Sequence, residues 1–199
     1  KWISNPNSDG MSFGFGGPPG VGKTLLAKSL SSALDIPFAQ ITLGGQNDGE
    51  LLHGHGYTYS GSQPGLIIKK MVEMSKSRCI LYFDELDKAC SKHGAMNEIT
   101  SILIHLTDPN MNKNFQDRFF QGIDFPLNKV IFIFSYNDSN LIDPILLDRI
   151  KEININAYTL SDKLDICKDY IIPEIKKDIL INENINFNSN ILEYLIDNY

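Results

Sequence analysis

Along this chain, apolar stretches of strand length alternate with stretches whose apolar positions recur every three or four residues. The strand-like runs fall at Met11–Gly16, Phe38–Thr42, Cys79–Phe83, Val130–Ser135 and Glu152–Ile155. Helical spacing marks Lys23–Leu34, Leu66–Met74, Asn97–Leu106 and Ile142–Leu147. Strands that alternate with helices predict an α/β fold in three layers, a mostly parallel sheet with helices on both faces. Residues 44–65 break the alternation. They are rich in Gly, His and Tyr and too long for an ordinary connection, which predicts a functional loop.

After Asn156 the strand pattern stops. Ser161–Ile179 predicts one long helix with Pro173 inside it or near its end, followed by a polar stretch over 182–190 and a last helix into Tyr199. The expected division is an α/β core over 1–157 and the start of a small helical domain over 158–199. Because the chain opens at Lys1-Trp2 and stops inside an apolar-periodic run, it is expected to be a fragment of something longer.

Composition narrows the classes. The chain has 199 residues, 42% hydrophobic and 21% charged, enough to bury a core. Lys+Arg is 18 against Asp+Glu 24, a net charge of −6, which argues against a surface devoted to neutralising nucleic-acid phosphates. Cys79, Cys90 and Cys167 show neither C-x-x-C spacing nor a disulfide framework, which suits a reducing, cytoplasmic compartment. No apolar run approaches the roughly 18 residues of a membrane span, and no signal-peptide layout appears at the start.

The chemistry is concentrated at a few places. Gly17-Pro18-Pro19-Gly20-Val21-Gly22-Lys23-Thr24 fits G-x-x-x-x-G-K-[ST] between an expected strand and an expected helix, the context of a P-loop. Its glycines let backbone N–H groups turn toward phosphates, and the helix N-terminus adds its positive dipole end. Lys23 is expected to reach the β/γ-phosphates and the Thr24 hydroxyl to bind Mg²⁺. The acidic partner is at the end of Ile80-Leu81-Tyr82-Phe83-Asp84-Glu85, where Asp84 would hold Mg²⁺ and Glu85 could polarise the attacking water. Two further groups could align the water and stabilise the γ-phosphate. Asn137 follows an apolar strand at the carboxyl edge of the sheet, and Arg149 tips a short helix; spacing alone leaves each open to a turn or surface role.

Together these residues resemble the AAA+ ATPases, specifically the ATPase module of Lon proteases. The resemblance is carried by residues 17–24, Leu43-Gly44-Gly45, Gly54-His55, Thr58-Tyr59-x-Gly61-x-x-Pro64-Gly65, Asp84-Glu85-Leu86-Asp87-Lys88, Leu106-x-Asp108-Pro109-x-x-Asn112-x-x-Phe115-x-Asp117 and Leu146-Leu147-Asp148-Arg149. It runs from about Gly14 to Pro173. It implies that Asn137 is the sensor 1 residue and that Arg149 is an arginine finger acting on ATP held by the neighbouring subunit. Tyr158 and Ile166 would line the adenine pocket, and Tyr59 would grip a polypeptide on the first pore loop. It further implies a homo-oligomeric, hexameric ring and a helical lid that is cut short here. Ser60 departs from the bulky aliphatic residue usual after the pore aromatic, which puts the strength of that grip in doubt. The sensor 2 arginine and a Ser-Lys protease domain would lie past Tyr199, and an N-terminal recognition region would precede Lys1.

The function this implies is Mg²⁺-dependent ATP hydrolysis coupled to protein unfolding or remodelling, feeding an attached or separate protease in quality control. A nucleic-acid motor or loader and an ATP-binding switch with little hydrolysis are the alternatives. Asn128-Lys129-Val130-Ile131 fails the guanine-recognition motif at its last position. His53-Gly54-His55, with no Cys or carboxylate seen beside it, is a weak metal signal, and packing or hydrogen bonding is expected of both rings.

Overall fold

The computed structural model describes residues 5, 8–45, 49–56, 61–90, 98–179 and 187–198. The chain divides into two compact units, Lys1–Ile155 and Asn156–Tyr199.

In the first unit, β1 (Ser12–Gly16) leads through the phosphate-loop motif into α1 (Lys23–Leu34) and β2 (Phe38–Thr42). Two helices, α2 (Glu50–His53) and α3 (Leu66–Met74), precede β3 (Ile80–Asp84). Then come α4 (Leu86–Cys90), α5 (Glu98–Thr107), a two-stranded antiparallel ribbon of β4 (Phe115–Gln116) and β5 (Asp124–Phe125), and β6 (Ile131–Tyr136). The unit closes with α6 (Pro144–Asp148) and β7 (Lys151–Asn154). The main sheet has five parallel strands in the order β2-β3-β6-β1-β7.

Alternation along the strands builds two cores. On β3, Ile80 and Tyr82 join Phe15, Ala27, Ile131 and Ile133 beneath α1. Leu81 and Phe83 face the other way, with Phe132, Phe134, Ile67 of α3 and Leu103 of α5. Both faces are therefore covered, which is why the central strands read as continuous apolar runs. The sequence Phe13-Gly14-Phe15-Gly16 of β1 has its own cause. Tyr136 of β6 reaches across β1 to donate to Glu152 of β7 at 2.8 Å, and a Cβ on Gly14 or Gly16 would lie 2.9 or 2.8 Å from its ring.

The second unit holds α7 (Leu160–Ile166), a π-helical stretch (Cys167–Ile171), α8 (Ile172–Asp178) and α9 (Ser189–Asn198). The long helix expected over Ser161–Ile179 is present as one continuous helical run from Leu160 to Asp178, with a π-helical stretch inside it. Pro173 lacks an N–H and crowds the carbonyl four residues back, and the wider i→i+5 turn directly before it accommodates that defect. α7 starts on a capping box, with Thr159 and Asp162 exchanging backbone-to-side-chain hydrogen bonds. Among the described residues no helix is long and apolar enough to cross a membrane.

Candidate active site

Gly22 is the N-cap of α1 with φ 81°, left-handed backbone that favours glycine, and the turn delivers Lys23 and Thr24 at the first helical positions. Gly17 is fixed by contact as well. A Cβ there would stand 2.2 Å from the Ile155 carbonyl oxygen. Its N–H donates to the Tyr136 carbonyl at 3.2 Å, so the loop begins tied to the end of β6.

Lys23 Nζ donates to the carbonyls of Gly17 and Pro18, the latter at 3.0 Å, and to Asn137 Oδ1 at 2.8 Å. Partial burial lowers the affinity of the amine for its proton, while Asp87 and Asp84 oppose that shift. Asn137 follows β6, and its backbone N–H donates to Asp87 Oδ2 at 3.1 Å. Asp87, which its spacing alone presents as part of a charged helix start, is only 5% exposed, and its Oδ1 is buried with no hydrogen-bond partner. The amide of Asn137, the ammonium of Lys23 and the carboxylate of Asp87 form one contiguous chain.

Asp84 ends β3 with both oxygens engaged. Oδ1 accepts from the Ser135 hydroxyl and, at 3.1 Å, from the Glu85 N–H; Oδ2 accepts from Gln40 Nε2 at 3.2 Å. Thr24 Oγ1 lies 3.0 Å from the Tyr82 hydroxyl, and Tyr82 shares the face of β3 that carries Asp84. Hard oxygen donors of this kind, one hydroxyl and one carboxylate at the mouth of a phosphate loop, fit Mg²⁺.

Glu85 has φ 62°, a left-handed backbone that a non-glycine residue rarely holds. That turn breaks the chain direction between β3 and α4. The side chain lies over Gly44, where a Cβ would come within 1.8 Å of Glu85 Oε2, and Oε1 pairs with Lys88. The Gly44 of the Leu43-Gly44-Gly45 motif therefore makes room for this carboxylate.

Asp84 ends β3, Glu85 and Asn137 directly follow β3 and β6, and Lys23 and Thr24 open α1 beyond the loop that follows β1, so all five stand at the carboxyl edge of the sheet. Arg149 does not. It caps the C-terminus of α6, two residues before β7 opens opposite Phe13, and so lies at the other edge. With a rise of about 3.3 Å per residue, the two edges of β1 are roughly 13 Å apart. There Nη1 donates to the Ile104 carbonyl at 2.8 Å and meets Asp108 Oδ2 at 3.0 Å. A cavity of about 360 Å³ at that edge is lined by Gly10, Met11, Val130, Asp148 and Arg149 among others.

Tyr59, with Tyr57 and Ser60, lies outside the described residues. The stem of its loop is described. His55 N–H donates to the Gln63 carbonyl at 3.1 Å, and the buried carboxylate of Asp117 accepts from the N–H groups of Gly65 and Phe119, both at 2.8 Å. Tyr158 and Ile166 belong to the second unit, where Tyr158 is 42% exposed and Ile166 half-buried.

The histidines acquire partners that spacing hid. His53 packs on Phe115 with ring centroids 5.0 Å apart, and burial followed by the nearby Arg118 holds its pKa below the ordinary value. His55 Nε2 lies 2.9 Å from Glu50 Oε2, so a carboxylate does stand beside this pair, and Glu50 also approaches Arg118 at 3.9 Å. Among the described residues no group of three or more His, Cys, Asp or Glu side chains is arranged to hold a metal.

Two residues at the site look like plain core in the sequence. Tyr82 and Ser135 sit within apolar strands, and only their neighbours in space, Thr24 and Asp84, give them a polar task. Asp108 and Asp117 fall inside the Leu106–Asp117 motif, but no spacing rule links them to Arg149 or Gly65.

A glycine-turned phosphate loop opening a helix, a strand-end carboxylate beside it and a parallel sheet with this strand order define a P-loop nucleotide-binding module. The chain belongs to the ATPase family associated with various cellular activities (AAA), whose profile matches residues 13–157. It is 50% identical to a Lon protease homolog of Acanthamoeba polyphaga mimivirus over 201 aligned residues, all of this chain and 20% of that protein. It is 35% identical to the Lon protease of Campylobacter concisus over 200 residues, 100% of this chain and 24% of the relative. Against the Lon protease of Cytophaga hutchinsonii the identity is 38% over 184 residues, 92% of this chain and 22% of the relative. The chain thus spans between a fifth and a quarter of the length of these relatives.

Proposed function

We propose that this chain is the ATP-hydrolysing module of a Lon-like protein, converting ATP and water to ADP and phosphate with Mg²⁺ and using the turnover to unfold or remodel polypeptide. The observation that carries this reading is the convergence of Lys23, Thr24, Asp84, Glu85 and Asn137 at one sheet edge, with Lys23 hydrogen-bonded to Asn137. In this reading Lys23 exchanges its carbonyl partners for phosphate oxygens. Thr24 and Asp84 hold Mg²⁺, which would neutralise charge on the β- and γ-phosphates. Glu85 leaves Lys88 to polarise the attacking water, and Asn137 orients that water or the γ-phosphate. Tyr158 and Ile166 contribute to the adenine pocket.

Arg149, at the far edge, serves the nucleotide of a neighbouring copy, which makes the working form a ring of identical subunits. Tyr59 grips a polypeptide in the pore of that ring, and the product is passed to a protease, attached or separate, in a reducing intracellular compartment. The acidic balance of the chain favours polypeptide over nucleic acid as the substrate. Phosphate release from ATP, measured with and without Mg²⁺, tests the core of the proposal. No Mg²⁺-dependent release above the buffer rate, in this chain or in one extended past Tyr199, would overturn it.

A further inference from the structure

Tyr82 is fully buried, beneath α1, its ring 5.8 Å from that of Phe38 and packed among Phe15, Ala27, Ile80, Ile131 and Ile133. A phenol so placed is costly unless its O–H finds a partner. The partner is Thr24 Oγ1 at 3.0 Å, and the Ser135 hydroxyl and the Asp84 carboxylate also bear on the phenol. One hydroxyl projecting from the middle of β3 thereby reaches the first turn of α1.

We propose that Tyr82 is a positioning residue for the divalent cation, orienting the Thr24 hydroxyl toward the site that Asp84 shares. This deepens the proposed function and rests on Thr24 and Asp84 holding Mg²⁺. A threonine oxygen can ligate a cation only with a lone pair, so its hydrogen must point elsewhere. The Tyr82 oxygen accepts that hydrogen. Ser135 donates to Asp84 Oδ1 and Gln40 to Oδ2, so the carboxylate is clamped from both sides while Thr24 is turned. Without the phenol oxygen, Thr24 is free to rotate and to donate to Asp84 directly, spending on each other the two oxygens the cation needs. Groups that orient metal ligands from behind typically change metal affinity by about 10- to 100-fold when removed.

The test is a Mg²⁺ titration of the whole chain with a fluorescent ATP analogue, repeated in EDTA, for the parent, Tyr82→Phe and Tyr82→Met. Both variants keep an apolar side chain in the core and lose the hydroxyl, and thermal melting identifies those that fold. The expected result is a Mg²⁺ midpoint raised about tenfold, with affinity in EDTA kept within about twofold. In a Thr24→Ala background, Tyr82→Phe should add nothing, because the hydroxyl it orients is already gone. A midpoint that Tyr82→Phe leaves unmoved, an equal loss in EDTA, or a full effect persisting in the Thr24→Ala background would each overturn the role of Tyr82 alone. A parent chain whose nucleotide affinity ignores Mg²⁺ would overturn the metal assignment of Thr24 and Asp84 and this inference with it.

Discussion

Asp108 and Arg149 form an ion pair at 3.0 Å on the sheet edge opposite the phosphate loop. The Asn110 N–H and then Arg149 hold the Asp108 carboxyl below its usual range. The guanidinium is anchored at one nitrogen by Asp108 and by the Ile104 carbonyl of α5. The guanidinium thus stands away from the phosphate loop of its own chain.

Mixing follows from that placement. In a chain long enough to assemble, Arg149→Ala should lower turnover by about 10³-fold or more, the scale of arginine fingers in other nucleotide hydrolases. Glu85→Gln should be equally inactive, yet rings mixed from the two variants should recover hydrolysis, because a site with Glu85 intact then borrows Arg149 from its neighbour. The measurement is phosphate release against mixing ratio, with light scattering to verify mixed rings; mixed rings that stay inactive would remove Arg149 from action across the interface.

Glu85→Gln alone should separate binding from turnover. Lys23, Thr24 and Asp84 remain for ATP, so affinity for a fluorescent analogue should be unchanged. The hydrolysis rate should fall about 10²- to 10⁴-fold, the usual contribution of a general base. Unchanged turnover would show that the carboxylate over Gly44 is not the group that activates water.

Lys23→Ala should instead abolish binding. The three oxygens that now hold the ammonium, those of Gly17, Pro18 and Asn137, would be left facing one another, and the triphosphate would lose its main cation. Isothermal titration with ATP should show no saturable heat; affinity retained within a few-fold would contradict the phosphate assignment.

Cys79 gives a prediction with a definite pH sign. Burial pushes its thiol from the ordinary 9.0 up to about 12. The unfolded chain therefore ionises first, and the stability this group supports is fully present below pH 9.0 and lost as pH rises toward about 12. Urea midpoints taken from pH 8 upward should fall more steeply for the parent than for Cys79→Ala, and Ellman's reagent should reach Cys79 only in urea. Rapid labelling in the native state would contradict the burial.

The sheet and its order of elements were legible because buried parallel strands and one-faced helices imprint different periods. α1 and α3 have the expected bounds, each starting just after a glycine, Gly22 or Gly65, that marks the turn. α2, α4 and the ribbon of β4 and β5 are too short to set any period, and only tertiary contacts define them. The π-helical stretch before Pro173 depends on how the chain absorbs a missing donor, which no period records. At the site, Gly17–Thr24 and Asp84-Glu85 are contiguous and so were readable. Tyr82, Asp87 and Asp108 act on residues 58, 50 and 41 positions away, and such long closures leave no local trace.

One backbone bond has a mechanical meaning. The Ile155 N–H donates to the Gly16 carbonyl at 2.7 Å, and the Ile155 carbonyl leaves no space for a side chain on Gly17. Ile155 is also the last residue of the first unit, the point from which Asn156 departs. The last residue of the first unit is thus bonded to the last residue of β1, one position before the phosphate loop. The end of the first unit and the start of the loop are therefore held at a single backbone joint, and a substitution that loosens Ile155 loosens the backbone on which the loop begins.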